Sequence, residues 1–163
     1  MHVAESATAS DDAGTGALVK EFSGVGHLVT LDRYVEGIQG GTGKGFDWEV
    51  AASLSRSGHP FLLAGGLTPE NVSEAITMVK PWGVDVSSGV ETDGKKYHAQ
   101  ILEFLQKAKA LGDILIVGLN TDQSVKKLKG ENRPINNEKE RANILSSLKY
   151  IDYITLFDET TPE

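Results

Sequence analysis

Short apolar runs closed by glycine or small polar residues alternate with longer amphipathic stretches along this chain. A strand-then-helix rhythm of this kind leaves one class. The chain reads as α/β with a mainly parallel sheet, because each parallel strand needs a crossover before the next can lie beside it. Strands are predicted at 28–31 (LVTL), 61–64 (FLLA), 83–86 (GVDV), 113–119 (DILIVGL) and 153–157 (YITLF). The DILIVGL run is apolar nearly throughout, the pattern of a strand covered on both faces. A helix is predicted over 48–57, and another opens at Thr68-Pro69-Glu70. There Thr68 suits the cap, Pro69 the first helical position and Glu70 the positive end of the dipole. Val72, Ala75, Ile76 and Val79 give that helix one apolar face, and Pro81 ends it. A stronger helix over 97–111 carries Ile101, Phe104, Leu105, Ala108 and Leu111, with Gly112 placed to stop it. A short helix follows at 122–129. Asn137 and Glu140 then form a capping-box pattern before Ala142, Ile144, Leu145 and Leu148. Residues 6–16 (SATASDDAGTG) read as a loop or a weak helix start.

Composition narrows the function. The 163 residues leave room for one domain or two small ones. A net charge of −7 argues against a nucleic-acid binder but permits a local site for a small anion. Cysteine is absent, which removes disulfides, thiolate metal sites and cysteine catalysis. The four histidines lack ligand spacing, so no metal site is expected. No apolar run reaches the ~18 residues of a membrane span, and the first residues do not read as a signal peptide, so a cytoplasmic protein is expected. Glycine is uneven: 15 of the 18 fall in residues 1–109.

The glycines mark the chemistry. Gly65-Gly66 follows one strand and leads into a capped helix, and Ser88-Gly89 follows the next strand. Two adjacent strand ends with free backbone N–H groups can cradle one phosphate, as the loops after strands seven and eight do in (β/α)8 barrels. Each pair also reads as a plain tight turn. Asp32 closes a strand, where α/β folds place acids and ligand contacts, or where an aspartate simply caps a loop. Asp85 lies within Val-Asp-Val, where strand alternation predicts burial with a hydrogen-bond partner. Gly41-Thr42-Gly43 sits in a glycine-rich loop suited to closing over a substrate, without the full phosphate-loop spacing. Trp48 and Trp82 are read as packing residues.

The runs LVTLD, GGTGKGFDW, FLLAGGLTPENV and GVDVSSGVETDGKK resemble the C-terminal half of phosphoribosylanthranilate isomerase, over about residues 1–109. The resemblance implies the last four units of a (β/α)8 barrel, with a first strand clipped at His2-Val3. It implies an enzyme of tryptophan biosynthesis that performs an Amadori rearrangement without metal or cofactor. The family's general acid falls on Asp32, its phosphate site on Gly65, Gly66, Ser88 and Gly89, and a substrate-hydroxyl contact on Asp85. The family's general base is a cysteine in a Lys-x-Cys-Gly motif on the first barrel strand. Neither that base nor the family's anthranilate-clamping arginine is present here.

From about Ala108 the sequence changes character. The run AKALGDILIVGLNTDQSVKKLKGENRPINNEKERANILSSLKYIDYITLFDETTP resembles the middle of a cytidylyltransferase-like nucleotidyltransferase of the ADP-heptose synthase type. That implies Rossmann-like βαβ elements continuing the parallel sheet over 110–163, expected to pack in the same α/β layer. The family's His-x-Gly-His motif falls on His98-Ala99-Gln100-Ile101, with its Gly and second His replaced. Arg133 and Lys126 are left as phosphate contacts or solvated surface charges.

Three readings stay open. One is an isomerase-like protein that binds a small phosphorylated sugar and turns over weakly or not at all alone. The second is a nucleotidyltransferase fragment, and the third a non-catalytic chimeric fold. No nucleic-acid or membrane partner is expected, and open sheet edges offer a route to self-association.

Overall fold

In the computed structural model, the residues described are 12–24, 28–32, 48–93 and 95–158. The chain divides into two compact units, residues 3–107 and 108–163. Among the described residues the strands form three sheets.

In the first unit, helix α1 (Asp12–Gly24) covers part of the stretch expected to be loop or weak helix start. Strands β1 (Val29–Leu31), β2 (Phe61–Leu63) and β3 (Gly83–Val84) lie in that order in a parallel sheet. Val29 pairs with Phe61, and Leu62 with Gly83. Every residue of β2 is buried, as a central strand covered on both faces should be. Helices α2 (Trp48–Arg56) and α3 (Val72–Val79) supply Ala51, Leu54, Val72, Ala75 and Val79 to the core. Helix α4 (His98–Lys109) adds Phe104, with Ile101 packed against the cluster. An antiparallel ribbon absent from the sequence reading, β4 (Glu91–Thr92) and β5 (Lys95–Lys96), precedes α4.

The start of α3 differs from expectation. The helix begins at Val72; Asn71 stands at the N-cap position, but its side chain caps no helix N–H and bonds back into the preceding loop. The Thr68 N–H donates to Asn71 Oδ1 at 2.8 Å, and Asn71 Nδ2 donates to the Gly66 carbonyl at 2.9 Å. The Thr68 hydroxyl instead serves Glu70, whose carboxyl it holds below the ordinary range, helped by the Glu70 N–H. The other end stops in front of Pro81 as predicted, with Lys80 in a left-handed conformation. Trp48 packs against the core, whereas Trp82 is 68% exposed, contrary to the packing role read for it.

In the second unit, β6 (Ile116–Asn120) pairs in parallel with β7 (Tyr153–Phe157), joined through α5 (Asp122–Lys129) and α6 (Glu138–Ser146). Thr121 caps α5 by accepting from the Ser124 N–H, and Asn137 and Glu140 close the capping box on α6. Strand β6 is not covered on both faces: Ile114 and Ile116 are exposed, and β6 pairs on one side only, with β7, among the described residues.

Candidate functional site

The first unit's three parallel strands end side by side, and the candidate residues follow directly from those ends. Asp32 is the residue after β1, and it is half-buried. Across from it, the Ala64 N–H donates to the Leu31 carbonyl at 2.8 Å, carrying the ladder one step beyond β2. Gly65 and Gly66 come next with φ of 82° and 74°. Two successive left-handed residues are strained for any side chain but easy for glycine. Neither N–H donates a backbone hydrogen bond among the described residues. The Asn71 amide bonds the loop at the Gly66 carbonyl and the Thr68 N–H and uses neither of those two N–H groups.

Asp85 follows β3. Its N–H donates to the Leu63 carbonyl at 2.9 Å, so its backbone stays in the ladder although the strand proper stops at Val84. The residue is exposed rather than buried, which corrects the Val-Asp-Val reading: the alternation runs past the end of a two-residue strand. Desolvation by the crowded strand ends nonetheless raises the Asp85 carboxyl above the ordinary range, and the Asp32 charge adds to the rise. Lys96 and the Val86 N–H act against it.

Ser88 and Gly89 lie in a single 3-10 turn at 88–90. Gly89 is pressed against the neighbouring loop. A Cβ built there would stand 1.7 Å from the Leu67 carbonyl oxygen and 3.2 Å from Thr68 Cα. Only glycine allows that approach, and it makes the loops after β2 and β3 direct neighbours. The structure thus sets Gly89 against Leu67 and Thr68, in the loop that carries Gly65 and Gly66, and couples Asp85 electrostatically to Asp32. Gly41, Thr42 and Gly43, and His2-Val3, lie outside the described residues.

The sequence reading missed Lys96. Its Nζ donates to the Ser87 carbonyl at 2.7 Å and pairs with Glu91 at 2.9 Å. The available signal was Asp93-Gly94, a hairpin dipeptide flanked by the two ribbon strands. Asn71 was missed as well, since its part is to shape the loop beneath the glycines.

In the second unit the polar residues at the end of β6 satisfy one another. Asn120 Nδ2 donates to Ser124 Oγ at 2.9 Å, the Asp122 N–H to Glu138 at 2.9 Å, and Arg141 to Asp122 at 2.8 Å. His98 is exposed at the head of α4, and Lys126 and Arg133 are exposed too. Among the described residues no helix is long and apolar enough to cross a membrane.

Parallel βα units with adjoining glycine loops at their strand ends define an α/β protein with a candidate anion site. Residues 2–107 match the family model for N-(5'phosphoribosyl)anthranilate (PRA) isomerase, and the chain belongs to that family. Residues 97–163 match the cytidylyltransferase-like model. An N-(5'-phosphoribosyl)anthranilate isomerase of Acetivibrio thermocellus is 54% identical over 79 residues, covering 48% of this chain and 36% of the relative. The Bifunctional protein HldE of Citrifermentans bemidjiense is 62% identical over 65 residues, covering 40% of this chain and 13% of that protein. The solved phosphoribosyl anthranilate isomerase of Thermotoga maritima aligns with a TM-score of 0.53 at 35% identity, over 64% of this chain and 50% of that one. The chain spans between about a third and a half of the length of the curated isomerases it matches.

Proposed function

We propose that residues 1–109 are the second half of a (β/α)8 barrel of the isomerase type, and that residues 110–163 are a nucleotidyltransferase-like piece. The first part binds a small phosphorylated sugar at the loops after β2 and β3. One observation carries this reading: the contact of Gly89 with Leu67 and Thr68, which sets two glycine loops side by side at the C-terminal ends of parallel strands. Backbone N–H groups of Gly65, Gly66, Ser88 and Gly89 take the phosphate. Asp85 takes the sugar hydroxyls.

Asp32 serves as the general acid of the Amadori rearrangement, an aldose–ketose isomerisation. It protonates the ring oxygen of N-(5-phosphoribosyl)anthranilate, and the ring opens to the imine. A base must then remove the C2 proton to give the enolamine that becomes the ketone. The family's cysteine base has no counterpart among these 163 residues. A positioned proton-transfer group contributes about 10²–10⁴-fold, so the chain alone is inactive or weakly active in a cytoplasmic setting.

Titration calorimetry with ribulose 5-phosphate tests the reading. Saturable binding that is lost in Gly65→Val supports it, and no binding overturns it. Growth of an isomerase-deficient, tryptophan-requiring strain on this chain alone would overturn the expectation of weak turnover.

A second reading, a nucleotidyltransferase fragment, is favoured by the 62% identity over 65 residues to the Bifunctional protein HldE. Saturable ATP or CTP binding would support it.

A further inference from the structure

We propose that Lys96 is a positioning residue for the sugar-phosphate site: from the end of the β4–β5 ribbon it holds the Ser87 carbonyl, and so fixes the turn that presents the Ser88 and Gly89 amides. This rests on the phosphate reading above and extends it to a residue outside the two glycine loops.

The turn after β3 has little holding it from within. Its internal hydrogen bond, from the Val90 N–H to the Ser87 carbonyl, is 3.5 Å long, at the weak end for such a bond. The strong partner of that carbonyl is the Lys96 ammonium at 2.7 Å, a charge-assisted bond. Lys96 cannot wander far, because Glu91 pairs with it at 2.9 Å and is its registered neighbour across the ribbon. The Tyr97 N–H, donating to the Val90 carbonyl at 2.8 Å, extends the same ladder and ties the ribbon to the turn. On its other side the turn is stopped by Gly89 resting on Leu67 and Thr68. Lys96, through the Ser87 carbonyl, and the Leu67 backbone, against Gly89, therefore both constrain the turn that carries the Ser88 and Gly89 amides.

Stability is a poor account of this arrangement. The Lys96 side chain is 48% exposed, and exposed ion pairs add little. A short ammonium-to-carbonyl bond at a turn pressed against the loop after β2 serves geometry instead. It also leaves a positive charge beside Asp85, where a dianionic ligand gains from it.

The test uses the full 163-residue chain, ¹⁵N-labelled, with Lys96→Met and Lys96→Arg. The Ser88 and Gly89 amide signals are read without ligand, and affinity is read with ribulose 5-phosphate. Lys96→Met is expected to shift both amide signals in the free protein and to weaken binding about tenfold. Lys96→Arg, which can still donate to the carbonyl, is expected to recover most of both. Unmoved amide signals in Lys96→Met overturn the proposal, and so do moved signals with unchanged affinity. Weakening in Lys96→Met that Lys96→Arg recovers, with amide signals unmoved in both, assigns Lys96 a direct charge contact and overturns a positioning role. Absence of binding by the unmodified chain overturns the phosphate reading and this proposal together, whereas binding that is indifferent to Lys96 overturns this proposal alone.

Discussion

The two units are written in the same strand-and-helix pattern but bury it very differently. In residues 3–107 the central strand is sealed, and Phe61, Leu63, Leu67, Val72 and Val79 all lie at or below 2% exposure. In the described part of 108–163 the only buried residue is Ser124, while Ile116 and Tyr153, paired across β6 and β7, are both 60% exposed. An apolar run states what a strand's faces need. It does not state whether anything meets that need. Stability in the first unit comes from packing, while the second relies on caps, polar networks and one ladder.

Core truncation gives the largest contrast. Phe61→Ala removes a fully buried ring from the start of β2 and is expected to cost about 3–5 kcal/mol. Ile116→Ala, in the exposed face of β6, is expected to stay within about 0.5 kcal/mol. Urea unfolding followed by amide exchange, resolved by unit, checks both. An equal loss in the two would mean that the Ile116 face is covered after all.

Glycine replacement sharpens the contrast at the site. Gly89→Ala drives a methyl into the Leu67 carbonyl, so the loops after β2 and β3 must part. Overpacking of this kind costs about 1–3 kcal/mol, and ribulose 5-phosphate affinity is expected to fall at least tenfold, which is about 1.4 kcal/mol. Gly130→Ala is the matched control in the second unit. It has the strained φ of 88° but nothing within 4 Å, so it is expected to cost about 1 kcal/mol and leave ligand affinity unchanged.

The strands, the glycines that follow β2 and Asp32 are legible because each falls where an apolar run meets a break. That pattern survives any tertiary arrangement. The family resemblance was legible for the same reason, in GVDVSSGVE and in AGGLTPENV. What escaped the reading depends on contacts distant from the apolar period. Lys96 reaches Ser87 through a ribbon of two-residue strands, too short to show alternation. Asn71 looks like an ordinary helix residue, yet its amide serves the Gly66 carbonyl and the Thr68 N–H together and so shapes the loop before the helix. Asp85 was expected inside because the strand was drawn two residues too long. The exposure of β6 could not be read from DILIVGL, since burial belongs to the neighbours and not to the run.

Acid pH separates the units next. Asp152 accepts from the Leu115 N–H and from Lys109, both at 2.7 Å, and these bonds hold its carboxyl below the ordinary range. A depressed folded value means that its contribution is present above the ordinary carboxylate range and is lost as pH falls through the folded value. Asp152→Asn is expected to make the second unit less stable near neutral pH and to flatten its acid dependence. Thermal melts across pH 2–7 on the two chains read this out. An unchanged acid limb would remove Asp152 as the clasp between Leu115 and the start of β7.

The smallest effect is expected at Asp85, and it carries the opposite sign. Crowding at the strand ends and the Asp32 charge raise its carboxyl, so the folded first unit holds that proton more tightly than the unfolded chain does. The associated stability is complete below the ordinary carboxylate value and fades as pH rises through the folded one. Asp85→Asn removes the penalty of ionising there, and the first unit is expected to lose less stability on going from acid to neutral pH. The same change removes a carboxylate oxygen proposed to take sugar hydroxyls, so ribulose 5-phosphate should bind less well while inorganic phosphate binds as before. A variant that lost both ligands equally would move Asp85 from the sugar to the phosphate, and would break the division of labour between the aspartates and the glycine loops.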